Sequence, residues 1–234
     1  MVLPFFYMDY WYLVLVLPAV LVSLWAQYKV KSTFNKYSRK GVASGMTGAE
    51  ASRYIQQANG IHTGLEAVAG SLSDHYDPRN NTIRLSSTVY GHATVAAVGV
   101  AAHETGHALQ HAEGYALVKL RTALVPVTNF ASGFSSILIV LGLLTAMTSI
   151  AYAGIVLFST ATFFQLVTLP VEFNASRRAV VALEQSGQFT KDEIKGVKQV
   201  LTAAALTYVA ALLVSVMTLL RLILIVGGNR GRRD

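Results

Sequence analysis

TALVPVTNFASGFSSILIVLGLLTAMTSIAYAGIVLFSTATFFQLVTLPV, residues 122–171, runs for 50 positions without a charged residue or a histidine. A helix crossing the hydrocarbon core needs about 20 apolar residues. A run this long therefore holds two spans and a tight turn, expected within Met147–Tyr152. The same signal recurs on either side. Pro4–Tyr28 carries Asp9 as its sole charge, with a kink expected at Pro18, and Val200–Val226 carries only Arg221, expected to snorkel to the interface. The first block lacks a basic n-region, and Gln27-Tyr28-Lys29 offers no small-residue cleavage site, so a retained anchor is preferred to a cleaved signal peptide.

Composition agrees. Apolar residues make up 53% of the 234 positions and charged residues 13%, half the share found in soluble domains. The expected class is a mainly α membrane protein with about four transmembrane helices and a small α+β domain. The net charge of +7 does not form an aromatic-interleaved patch, which argues against nucleic acid. Lys29, Lys31, Lys36, Arg39 and Lys40 follow one apolar block, and Arg230, Arg232 and Arg233 follow another. Charges so placed face the lipid bilayer and its anionic headgroups. The polar regions Lys29–Arg121 and Glu172–Gln199 are joined by a hairpin and so share one side of the membrane. They hold 15 of the 19 Lys and Arg residues, which assigns them to the cytoplasm by the positive-inside rule.

Within the first polar region, Thr47-Gly48-Ala49-Glu50 reads as a capping box and Asn59-Gly60 as a helix stop. Asp77-Pro78-Arg79-Asn80-Asn81 reads as a turn between two short strands, the second being Thr82–Ser86. A helix is expected over Thr94–Ala112.

That helix contains Ala102-His103-Glu104-Thr105-Gly106-His107-Ala108-Leu109-Gln110. Residues four apart lie on one helix face, about 6 Å apart along the axis, so His103 and His107 can converge on one metal ion. Glu104, beside the first ligand, is placed to act as general base. With no cysteine in the chain, the remaining ligand must be His or a carboxylate. His111 lies about 12 Å along the axis from His103, too far for a straight helix to share. The metzincin pattern would need Gly at 110 and His at 113, where Gln110 and Glu113 stand. Glu172 is the best candidate, as the first charge after the hairpin and the start of a helix ending near Gly187. Glu184, about 18 Å further along that helix, competes less well. The other reading of Glu172 is an acidic residue favoured by a helix N-terminus.

Taken with Asp74-His75-Tyr76-Asp77-Pro78, Leu85-Ser86 and Glu172-Phe173-Asn174-Ala175-Ser176, the helix motif resembles the neutral zinc metallopeptidases of the YugP type, bacterial membrane proteins related in motif to the HtpX-like gluzincins. The resemblance covers most of the chain. It implies a zinc-dependent endopeptidase of the inner membrane, with Zn2+ held by His103, His107 and Glu172 and with Glu104 as the catalytic base. It also implies a polypeptide substrate, membrane proteins among them, and a role in membrane-protein quality control. In HtpX-like enzymes an Asp four residues after the third ligand buttresses a zinc histidine. Ser176 stands there, a weaker partner, so another residue is expected to orient the imidazole. Arg177 and Arg178 could stabilise an oxyanion or simply be solvated. Gluzincins receive substrate along a sheet edge, for which Thr82–Ser86 is the candidate, a purely structural hairpin being the alternative.

The expected division follows: residues 1–28 an anchor, 29–121 a zinc-protease domain, 122–171 a helical hairpin, 172–199 the third-ligand helix, 200–226 the last span, and 227–234 a basic tail. Intramembrane proteolysis would need a later aspartate ligand, and no aspartate occurs between Asp77 and Asp192. A zinc-stabilised scaffold without protease activity is the non-enzymatic alternative, against which the presence of Glu104 argues.

Overall fold

A computed structural model describes residues 9–71 and 73–228. The first eight residues of the expected anchor and the arginines of the tail lie outside the described residues. In chain order the elements are α1 (Leu17–Tyr37), entered through a π-helical turn at Tyr12–Val16, then α2 (Gly48–Ala58), β1 (Gly64–Val68), β2 (His75–Asp77), β3 (Thr82–Ser86), α3 (Ser87–Tyr90), α4 (Val95–Ala112), α5 (Ala116–Leu144), α6 (Thr148–Ser186) and α7 (Lys191–Gly228). Four helices are long and apolar enough to cross a membrane: Tyr12–Tyr37, α5, α6 and α7. The protein is a mainly α membrane protein with a small three-stranded sheet. Its contacts divide the chain into two compact units.

The first unit comprises residues up to Ala26, Lys119–Leu169 and residues from Thr207. Its core gathers Ile139, Ala151, Ile155, Leu222 and Val226. The α5–α6 turn falls at residues 145–147, slightly earlier than expected, with Ala146 in the left-handed region at φ 56°. Small residues let these two helices approach: a Cβ on Gly154 would stand 2.7 Å from the Ile139 side chain. Thr162 and Ser215 join α6 to α7 through a 2.8 Å hydroxyl hydrogen bond. Arg221 does not snorkel. It is 6% exposed and its guanidinium donates to Asp9, with Nε at 3.0 Å, while lying over the Tyr12 ring. A counter-charge inside the unit makes a long reach to water unnecessary.

The second unit comprises Gln27–Val118 and Pro170–Leu206. Thr47 and Glu50 form the expected capping box on α2, and the Thr94 hydroxyl accepts from Ala97 N–H to start α4. Almost every residue of α4 from Val95 to Gln110 is buried, because its Ala- and Gly-rich surface admits close neighbours on several sides. Ile55, Val98, Ala102, Leu183 and Val197 pack on one flank, and Ile83, Leu85, Val89 and Ala101 on another.

Two expectations are corrected here. Strand β3 is the centre of the sheet, in the order β1-β3-β2, parallel to β1 and antiparallel to β2, so Thr82–Ser86 is no edge. Glu172 does not begin a helix; α6 runs through it without a break, carrying Pro170 inside. Asp74 and Asp77 serve the sheet. Asp74 accepts from the Ser86 N–H at 2.7 Å and from its hydroxyl at 3.0 Å. Asp77 accepts from Arg79 and Arg84, which hold its carboxyl well below the usual range.

Candidate metal centre

Helix α4 presents His103 and His107 one turn apart, their rings 4.7 Å centroid to centroid and nearly perpendicular. Against them α6 sets Glu172, whose side chain is 2% exposed. Its Oε2 lies 3.3 Å from His103 Nε2 and 3.4 Å from His107 Nε2. The closeness of the helices has a local cause. Gly106 faces the Ala175 carbonyl, and a Cβ there would come within 2.5 Å of that oxygen. A larger residue at 106 would push α6, and Glu172 with it, away from the histidines.

The remaining ring nitrogens are occupied. Ser176 Oγ is 3.1 Å from His103 Nδ1, so the serine does orient that imidazole despite the expectation of a different partner. Gln110 Oε1 is 3.0 Å from His107 Nδ1. The Gln110 amide is itself fixed, donating to the Val171 carbonyl at 2.8 Å and to Asn174 Oδ1 at 2.9 Å. Asn174 Oδ1 also accepts from Arg178 Nε at 2.7 Å, and Arg178 pairs with Glu113. Arg178 is thus committed to a buttress, whereas Arg177 is exposed. Gln110 and Asn174 are the site residues that sequence reasoning missed. The signal for Gln110 was present: a buried amide three residues after a histidine, on the same face, has to find partners.

These features test the site for a metal ion. Direct ion pairs between imidazolium and carboxylate close to about 2.7–2.9 Å, and both contacts of Glu172 are longer. Tetrahedral zinc with bonds of about 2.0–2.2 Å separates its ligand atoms by about 3.3–3.6 Å, a range that holds both contacts of Glu172. His103, His107 and Glu172 each offer one donor, all within 4.8 Å of one another, with both Nδ1 atoms engaged elsewhere and both Nε2 atoms turned to the carboxylate. The residues fit a zinc ion. Burial pushes the His107 imidazole down, and the carboxylates of Glu172 and Glu104 more than offset this, leaving it above its ordinary value.

Glu104, 9% exposed, follows His103 directly. His111 lies 5.8 Å from the ring of Tyr76 of β2, tilted at 58° to it, and takes no part in the cluster. Glu184 is bound to Lys198 at 2.8 Å.

Comparison with known proteins agrees with this chemistry. Residues 12–227 match the family described as "Putative neutral zinc metallopeptidase". The chain is 49% identical over 215 residues to the "Putative membrane protease YugP" of Bacillus subtilis (strain 168), covering 92% of this chain and 96% of that one. No solved structure matches it. Two histidines and a carboxylate at zinc spacing, within a match that runs nearly end to end, support one assignment: the chain belongs to the neutral zinc metallopeptidase family.

Proposed function

We propose that the protein is a membrane-embedded zinc endopeptidase of the gluzincin type, in which His103, His107 and Glu172 hold the metal and Glu104 is the general base. The observation that carries this reading is the placement of one Glu172 oxygen 3.3 and 3.4 Å from two imidazole nitrogens whose opposite ring atoms are already engaged. Zinc held there supplies Lewis acidity, making a water nucleophilic near neutral pH and polarising a carbonyl. The protein's own part is positional. Ser176 and Gln110 fix the imidazoles, Glu172 adds the negative charge, and Glu104 takes the proton of the attacking water and delivers it to the leaving amine. A substrate added as a strand pairs at an outer edge of the sheet, and β2 is favoured because its Tyr76 packs against His111 of α4.

The excess of Lys and Arg in the polar regions supports a cytoplasmic site, and the membrane setting supports membrane proteins as substrates, in quality control. Glu104→Gln tests the chemistry. The purified variant should retain zinc at the wild-type stoichiometry and lose about 10²–10⁴-fold in cleavage of unfolded membrane proteins. Undiminished cleavage would end the proposal; zinc binding with no cleavage by the wild type would favour a scaffold. Because the chain has no cysteine, Lys40→Cys and Arg230→Cys each give a unique label for topology. Impermeant thiol reagents should reach them from opposite sides, position 40 from the cytoplasm.

A further inference from the structure

A cavity of about 320 Å³ shares no residue with the metal centre and is lined by two helices: Lys29 and Thr33 of α1, and Lys195, Lys198, Gln199, Thr202, Ala203 and Leu206 of α7. We infer that it binds the phosphate headgroup of an anionic phospholipid.

Charge is the first argument. Three lysines and no acidic residue line the cavity. Lys198 is held by Glu184, but Lys29 and Lys195 make no ion pair among the described residues. The polar wall is the second. Tyr37 donates its hydroxyl to Gln199 Oε1 at 2.7 Å, so the amide is fixed with its NH2 as the end left to donate. The hydroxyls of Thr33 and Thr202 add two more donors, a set suited to phosphate oxygens.

Position selects a lipid over free phosphate. With Tyr37 bonded to Gln199 and α1 antiparallel to α7, Lys29 stands two turns along toward the end of the cavity lined by Ala203 and Leu206, and Lys195 stands toward the other end. Both helices continue from that end as candidate membrane spans. Trp25, one turn before Lys29, and Tyr28, next to it, are 53% and 71% exposed, the exposed aromatics expected at headgroup level. A phosphate held at Lys29 would leave its acyl chains to continue past Ala203 and Leu206 along the two spans. Basic cavities between spans on the cytoplasmic side recognise anionic headgroups in this way, each cation near the surface adding to the attraction.

The test uses the full-length chain in a neutral detergent, with thermal unfolding followed as dioleoyl phosphatidylglycerol, dioleoyl phosphatidylcholine or inorganic phosphate is added. Phosphatidylglycerol should raise the midpoint saturably, whereas phosphatidylcholine and inorganic phosphate should not. Lys29→Gln/Lys195→Gln should raise the half-saturating phosphatidylglycerol fraction roughly 30-fold, for the loss of two such cations. Lys31→Gln/Lys191→Gln removes the same charge from the same two helices outside the cavity and should leave it unchanged. Circular dichroism of both double variants checks that helix content is preserved. The inference is overturned if phosphatidylcholine or inorganic phosphate stabilises equally, or if the two double variants respond alike.

Discussion

Gln110 shows how a single amide can select the chemical state of a neighbour. Its Nε2 donates to the Val171 carbonyl and to Asn174, so its Oε1 is the atom turned to His107 Nδ1. An amide oxygen only accepts, so this network assigns the proton to Nδ1 and leaves the Nε2 lone pair facing Glu172, the tautomer a metal needs. The Ser176 hydroxyl can donate or accept and therefore holds the His103 ring without selecting its tautomer. Gln110→Leu should weaken zinc binding about 10–100-fold, with Ser176→Ala toward the small end of that range. Equilibrium competition with a chelator measures both, and wild-type affinity in the Gln110 variant would refute the assignment. The difference between legible and hidden residues follows from sequence distance. His103 and His107 are placed by helix periodicity alone, so their convergence could be read directly. Gln110 meets partners 61 and 64 positions away, and no local rule names them.

Among the elements, the contact of α4 with α6 decides whether the site exists. Gly106→Ala would put a methyl group 2.5 Å from the Ala175 carbonyl, against backbone that cannot swing aside. Overpacking of this kind costs about 1–3 kcal/mol. It would also shift the helix that carries Glu172, so the variant should unfold earlier and bind zinc less well. Gly133→Ala, on α5 where nothing lies within 4 Å of the added carbon, is the matched control. It should be neutral or stabilise by up to about 1 kcal/mol through helix propensity. Equal behaviour of the two in a thermal scan would mean the close approach is unimportant. Helix starts at Thr47 and Thr94 were legible because capping is local. Strand order was not, because β3 becomes central only by pairing in parallel with β1, Gly64 to Thr82. Glu172 misled for a related reason: a first charge after an apolar run reads as a boundary, whereas α6 simply continues out of its apolar segment.

For the molecule as a whole, the bilayer is a structural component. Phe130, Phe134, Ile137, Val156, Phe163 and Leu166 are exposed to between 48% and 65%, a surface stable only when lipid covers it. In that setting the Asp9–Arg221 pair, 212 positions apart, fastens the start of the first span to the end of the last. Arg221 alone looked like an interfacial residue; only the folded chain shows that Asp9 is its counter-charge. Removing one partner of a buried pair costs about 3–5 kcal/mol, while replacing both with neutral groups is often tolerated. The Asp9 side chain is 25% exposed, so water screens part of that cost and the effect should fall toward or below the low end of the range. Asp9→Asn and Arg221→Met should therefore each lower stability in mixed-micelle unfolding, Asp9→Asn more because it leaves the guanidinium buried without its counter-charge. The double variant Asp9→Asn/Arg221→Met should recover much of the loss. If instead its destabilisation equals the sum of the two single variants, the charges do not act on each other, and the spans are held together by apolar packing such as that of Ile139, Ile155 and Leu222 alone.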